Sequence, residues 1–336
     1  MKTFSFVKIF FVFSLVFSSF GVTTFAMTDE EAYYQARRIQ AQRQQEIQII
    51  QNEYNHGVQA YINKNYKQAI YHLGRVEKYY GNQRDFNIMM GDSFRNLNNL
   101  SPAINYLNRA YNLGSKDFVT LTGLGYSFMD LNNFQQAYPY LNIAAQYFPQ
   151  NPDIWWNLGV TCKNLKQENC ELASLVKLLQ IRPNYNVDSY LFVGDIFYTH
   201  KKFDDSLKYY LQGLQYFKNN PLLYYLAGDV FFINGKYQDS ISYLSDAVKL
   251  QQDYMDAYYE LGFSYFYLDD LNSSSEICSV MAKINEKDSR TVKFCQSVQQ
   301  KIMQKQMEQQ MQQDIINQQI EEQNQQALQF GQQSMG

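Results

Sequence analysis

Residues 155–162 read WWNLGVTC, and eight residues past Cys162 a second cysteine, Cys170, follows in KNLKQENC. Two tryptophans and two cysteines invite a redox or metal reading, but Gly159 points elsewhere. Glycines recur behind it at Gly125, Gly91 and Gly57, each 34 residues apart, and ahead of it at Gly194 after 35 and at Gly228 and Gly262 after 34 each. A fixed period of this size marks a repeat array, in which each unit buries its apolar face against its neighbours.

Further columns keep the register. Twelve residues after each glycine stand Ala69, Ala103, Ala137, Glu171, Ser206, Ser240 and Ser274, small in six of the seven. Sixteen after come Leu73, Leu107, Leu141, Leu175, Tyr210, Leu244 and Cys278, and three after come Ala60, Phe94, Phe128, Cys162, Phe197, Phe231 and Tyr265. This spacing predicts a helical hairpin whose glycine and small residue let two antiparallel backbones approach while large residues fill the space beside them. Tracts such as LNNF at 131–134 and NGKY at 234–237 supply turns, and Pro149, Pro183 and Pro221 mark junctions between units.

The pattern resembles the tetratricopeptide repeat (TPR) family, with its period of 34 and its W-x2-L-G-x2-Y signature. Trp155, Leu158, Gly159 and Cys162 match it with Cys for the aromatic, and Tyr258, Leu261, Gly262 and Tyr265 form the nearest second copy. The resemblance implies an all-α, right-handed superhelical solenoid of about seven hairpins over residues 50–288, serving as a binding scaffold. It also implies that first helices line a concave groove, with residues near each glycine facing it. Carried over, the groove residues are Tyr126, Trp156, Asp195, Tyr198, Tyr225, Asp229, Phe232, Tyr259, Phe263 and Phe266. Trp155 is then expected to pack between helices and Trp156 to face the groove. The carboxylate-clamp subclass needs Lys and Asn at these places, and only Lys163 and off-register Asn residues approach that pattern.

The flanks differ in character. Residues 1–26 carry Lys2 and Lys8, an apolar run from Ile9 to Phe17 and small residues up to Ala26, the layout of a cleaved secretory signal peptide. Export to a periplasm or the extracellular space, with no membrane insertion after cleavage, is the expectation. Thr28 and Glu31 open a capping box for an N-terminal helix over 27–49. The end, 289–336, reads as a capping helix followed by a Gln-rich tail in which Met307, Met311, Ile315 and Ile320 form a narrow apolar stripe suited to self-association.

An even number of cysteines in an exported chain favours pairing. Cys162 and Cys170 can face each other across a hairpin turn, and Cys278 and Cys295 are similarly placed, although four cysteines allow three connectivities. Metal binding is disfavoured, since no C-x2-C occurs and His56, His72 and His200 are scattered. No P-loop, G-x-G-x-x-G, G-x-S-x-G or H-E-x-x-H is present, so neither an enzyme nor a cofactor is expected. A net charge of −3 gives no basic footprint for nucleic acid. With 29 Tyr and 24 Phe the chain is rich in aromatics, which a codon bias could also produce. The reading is an exported protein-interaction scaffold. Two alternatives stay open: a glycan binder stacking sugars on Trp156, Tyr225 and Tyr259, and an assembly factor acting through its tail.

Overall fold

The computed structural model describes residues 28–333, with side chains to residue 326, and the expected signal peptide lies outside them. The described chain is a succession of antiparallel helix pairs: α1 (Asp29–Ile62) with α2 (Tyr66–Tyr80), α3 (Arg84–Asn96) with α4 (Leu100–Asn112), and α5 (Phe118–Asp130) with α6 (Phe134–Tyr147). Next come α7 (Pro152–Asn164) with α8 (Glu168–Ile181), α9 (Val187–Thr199) with α10 (Phe203–Tyr216), α11 (Pro221–Ile233) with α12 (Tyr237–Leu250), and α13 (Met255–Tyr267) with α14 (Leu271–Asn285). A long last helix, α15 (Ser289–Gln333), closes the series. Each pair packs on the next, giving a solenoid of seven hairpins.

Hairpin closure follows one recipe. At Gly91 an added Cβ would lie 2.6 Å from Leu107 Cγ, so the leucine sixteen positions on occupies the space the missing side chain leaves. The small residue twelve positions on meets the glycine's own backbone: Ser240 and Ser274 donate to the carbonyls of Gly228 and Gly262 at 3.0 and 3.1 Å. A further column, fifteen after the glycine, stacks on the aromatic three after it. The pairs Phe94–Tyr106, Phe128–Tyr140, Phe197–Tyr209 and Phe231–Tyr243 have ring centroids 5.7, 5.9, 5.6 and 5.2 Å apart. Contacts of this kind are worth about 0.5–1.5 kcal/mol beyond area burial.

The turns are equally regular. The seventh residue after each glycine has positive φ: Lys64, Asn98, Asn132, Lys166, Lys201, Gly235 and Asp269. Its N–H and that of the following residue return to carbonyls of the last helical turn, as in Lys64 to Tyr61 at 2.9 Å and Asn65 to Ala60 at 2.8 Å. This is a Schellman ending, which satisfies carbonyls that helix termination would orphan. Asn65, Asn133, Asn151, Asn186 and Asn220 cap the N-termini of following helices.

The fourth hairpin departs from the recipe. Cys162 stands in the aromatic column and is bonded to Cys170, with Cα atoms 5.7 Å apart, so a covalent link replaces the ring stack. Glu171 takes the small-residue place, buried, with Lys163 Nζ 3.5 Å away.

The seventh hairpin lacks its leucine. Cys278 occupies that column, and Phe294 of α15 fills the vacancy, its Cζ 2.5 Å from where a Gly262 Cβ would stand. Cys278 is bonded to Cys295 beside it, Cα to Cα 5.4 Å. At the other end, α1 runs unbroken through the expected boundary at 49/50, because nothing between Thr28 and Ile62 stops a helix and the capping box is formed at Thr28.

Candidate functional site

Hydrogen bonds running from one hairpin to the next show which residues share the inner face of the first helices. Tyr61 donates to Asp92 of the next unit at 2.9 Å. Tyr198 and Asp229 hold the same two positions in the fifth and sixth units, and burial together with the nearby Asp229 raises the Tyr198 hydroxyl. The columns one after and four after the glycine thus bring tyrosine to aspartate at these two junctions, and elsewhere include apolar or basic residues such as Val58, Val160, Met129 and Lys163; together the two columns make up the seam. Asp195, in the same column, instead accepts from its own hairpin's Tyr210 at 2.7 Å. Tyrosine replaces leucine in the sixteenth column there, and its longer side chain reaches through the hairpin.

The seam is deepest between α11 and α13. Asp229 is 9% exposed and lies beside Tyr198 and Glu260. Glu260 receives the Tyr225 hydroxyl at 2.9 Å on Oε1, while its Oε2 is buried without a partner. Tyr254 lies 5.0 Å from the Tyr225 ring. Neither Asp229 nor Glu260 forms a salt bridge with any described residue. Burial, reinforced by the charge of Asp229, pushes the Glu260 carboxyl up to about 8, and burial likewise raises Asp229. Two buried carboxyl groups so placed resist carrying two negative charges at once.

The other expected groove residues divide into two groups. Tyr126 is half-buried beneath the Arg95 guanidinium, 5.4 Å from its ring centroid. Trp156 lies parallel to Phe192 at 6.0 Å, and Trp155 packs between hairpins with its indole N–H on the Pro149 carbonyl at 2.9 Å. Phe232 meets Tyr237 and Tyr267 at 5.8 and 6.1 Å. Tyr259, Phe263 and Phe266, by contrast, pack against α15. Phe294 is 4.8 Å from the Phe263 ring, Arg290 stands 5.7 Å over Tyr259, and Lys301 Nζ lies 4.3 Å over Phe266 while bonding its carbonyl at 3.0 Å. The capping helix thus covers these three, and the open seam ends before them.

Glu260, Tyr254 and Phe192 were not among the expected residues. Glu260 had a signal: two positions before the glycine the other units carry Asn55, Met89, Gly123, Asn157, Phe192 and Leu226, so it is the one charge in its column. Lys163, the candidate for gripping a carboxylate, is engaged by the Phe192 ring at 3.5 Å and by Glu171. Among the described residues no group of three or more His, Cys, Asp or Glu could hold a metal, and no helix is long and apolar enough to cross a membrane.

A family profile described as "TPR repeat" matches residues 228–268, and another described as "Tetratricopeptide repeat" matches residues 122–162. No curated protein matches the sequence. Among solved structures, Naa15/Naa10 bound to HypK-THB is similar with a TM-score of 0.54 at 13% identity, covering 75% of this chain and 39% of that one. YrrB, titled a TPR protein with an unusual peptide-binding site, gives 0.48 at 17% identity, covering 55% and 95%. MamA from Desulfovibrio magneticus RS-1 gives 0.43 at 18%, covering 50% and 95%. At these identities the likeness is one of fold.

Proposed function

The chain is a tetratricopeptide repeat protein, a protein-interaction scaffold by fold, and from that premise we propose that it is exported and non-enzymatic and holds an extended polypeptide along its inner seam. The observation that carries this is the Asp229–Glu260 pair, buried without a countercharge and flanked by the hydroxyls of Tyr198 and Tyr225. Carboxylates backed by aromatic rings suit a lysine or arginine side chain, through charge and through ring faces. Trp156, Tyr126 and Phe232 supply apolar contact on either side, the composition of an interaction hot spot. The same acidity disfavours a partner's C-terminal carboxylate. The glycan reading is weakened by prior engagement: Trp156 stacks on Phe192 and Tyr259 lies under α15.

The test is a peptide array probed with residues 27–336 beside an Asp229→Asn variant and a Trp156→Ala, Tyr225→Ala, Phe232→Ala variant of unchanged helicity. Enrichment of basic peptides by the parent, lost with Asp229→Asn and abolished by the triple change, is expected. Identical profiles for all three proteins would refute the seam as the site.

A further inference from the structure

Both ends of the array extend a helix beyond the packed hairpins. The N-terminal part of α1 overhangs α2, and beyond Lys305, which still pairs with Asp269, α15 runs on exposed. Each overhang exposes apolar residues: Tyr33, Tyr34, Ile39 and Ile47 on α1, and Met307, Met311, Ile315 and Ile320 on α15, the methionines about 60% exposed. They differ in charge. Asp29, Glu30 and Glu31 fill the first turn of α1; behind them Arg37, Arg38 and Arg43 form a basic stretch that ends at Glu46, which accepts the Tyr79 hydroxyl at 3.2 Å. From residue 306 on, α15 carries Glu308, Asp314, Glu321 and Glu322 and no Lys or Arg. Glu308 and Asp314 bond only neighbouring glutamine amides, and none of the three arginines has a carboxylate partner among the described residues.

We infer that the acidic Met/Ile overhang of α15 docks on the arginine-bearing overhang of α1 in a second copy of this chain. A receiving surface exists: a cleft of about 430 Å³ lies where α1 passes the end of α2, lined by Ile47, Ile50, Gln51, Tyr79 and Tyr80 with Arg43 and the Tyr79-bound Glu46 at its edge. Apolar side chains of one helix would fill it while the charges pair at its rim, as in a heterotypic two-helix seam. The two overhangs belong to the first and last hairpins, so the contact is head-to-tail and builds either an open chain or a closed ring. This surface is separate from the seam and does not depend on what the seam binds.

Sedimentation velocity on residues 27–336 at tens of micromolar tests the contact. The parent is expected to associate at low salt and to fall to monomer at about 1 M salt, where charges are screened beyond about 3 Å. An Arg37→Glu, Arg38→Glu, Arg43→Glu variant and a Glu308→Lys, Asp314→Lys, Glu321→Lys, Glu322→Lys variant should each be monomeric. All these positions are exposed, and unchanged circular dichroism confirms folding. Mixing the two variants should restore assembly, because each supplies the charge the other lost. A parent that stays monomeric, reversed variants that assemble as the parent does, or a mixture of the two variants that fails to assemble would overturn the proposal.

Discussion

Replacing Glu260 with glutamine keeps the shape of the side chain and its bond to the Tyr225 hydroxyl while removing the group whose ionisation the fold opposes. The carboxyl titrates at its ordinary 4.5 in the unfolded chain and at about 8 in the seam. Between these values the native protein binds the extra proton, so stability falls as pH rises through the window and is level on either side. At about 1.4 kcal/mol per pH unit the gap sets a ceiling near 5 kcal/mol. Coupling to Asp229 and the high effective dielectric of real sites bring the expected loss to about 2 kcal/mol. Urea midpoints at pH 5 and pH 8 measure it. The parent should weaken across that interval, whereas Glu260→Gln should change by less than about 0.5 kcal/mol and be the more stable protein at pH 8. Equal slopes in the two proteins would refute the account of a buried carboxyl pair that resists full ionisation.

Other outcomes follow from the packing. Phe294→Ala removes a ring that is 1% exposed; a loss of about 3–5 kcal/mol is expected at that end, seen as faster amide exchange in residues 289–305 with the first hairpins unchanged. Replacing Cys278 and Cys295 by serine opens a link of sequence separation 17 and should cost about 3 kcal/mol, read as a lower melting temperature whose remaining response to reductant is that of Cys162–Cys170 alone. Gly125→Ala places a methyl 2.6 Å from Leu141 Cδ2, and calorimetry should show a destabilisation of about 1–3 kcal/mol. Lys201→Gly should do the reverse, raising stability by roughly 0.5 kcal/mol, because φ there is 58° and a side chain is strained in that conformation.

The hairpins were legible because their chemistry is local. Glycine, small residue and leucine recur at fixed distances on two helices that the turn brings together, and the period displays all three columns. The positive-φ turn residues were hidden, since six of seven are Lys, Asn or Asp where glycine would have announced them. The boundary at 49/50 was drawn from the repeat register, but a helix ends only where something ends it, and α1 meets no breaker. The covering of Tyr259, Phe263 and Phe266 escaped for a different reason. The residue responsible, Phe294, stands on a helix outside the register, and the hint was an absence: Cys278 is too small to fill the space above Gly262. Glu260 was readable as the odd member of its column, but its importance depends on facing Asp229 from a neighbouring hairpin, a relation that no single unit contains.

The plug of Phe294 and the link from Cys278 to Cys295 give the array a direction. In a structure whose units touch only their neighbours, unravelling starts where an end is loosest. The last hairpin is filled and stapled, while the first has only α3 and α4 on one side and solvent on the other. Loss of order should therefore travel from α1 toward α15. A force or an unfolding machine acting on the N-terminal helix would peel the units in sequence, whereas the same pull at the far end would meet a locked door.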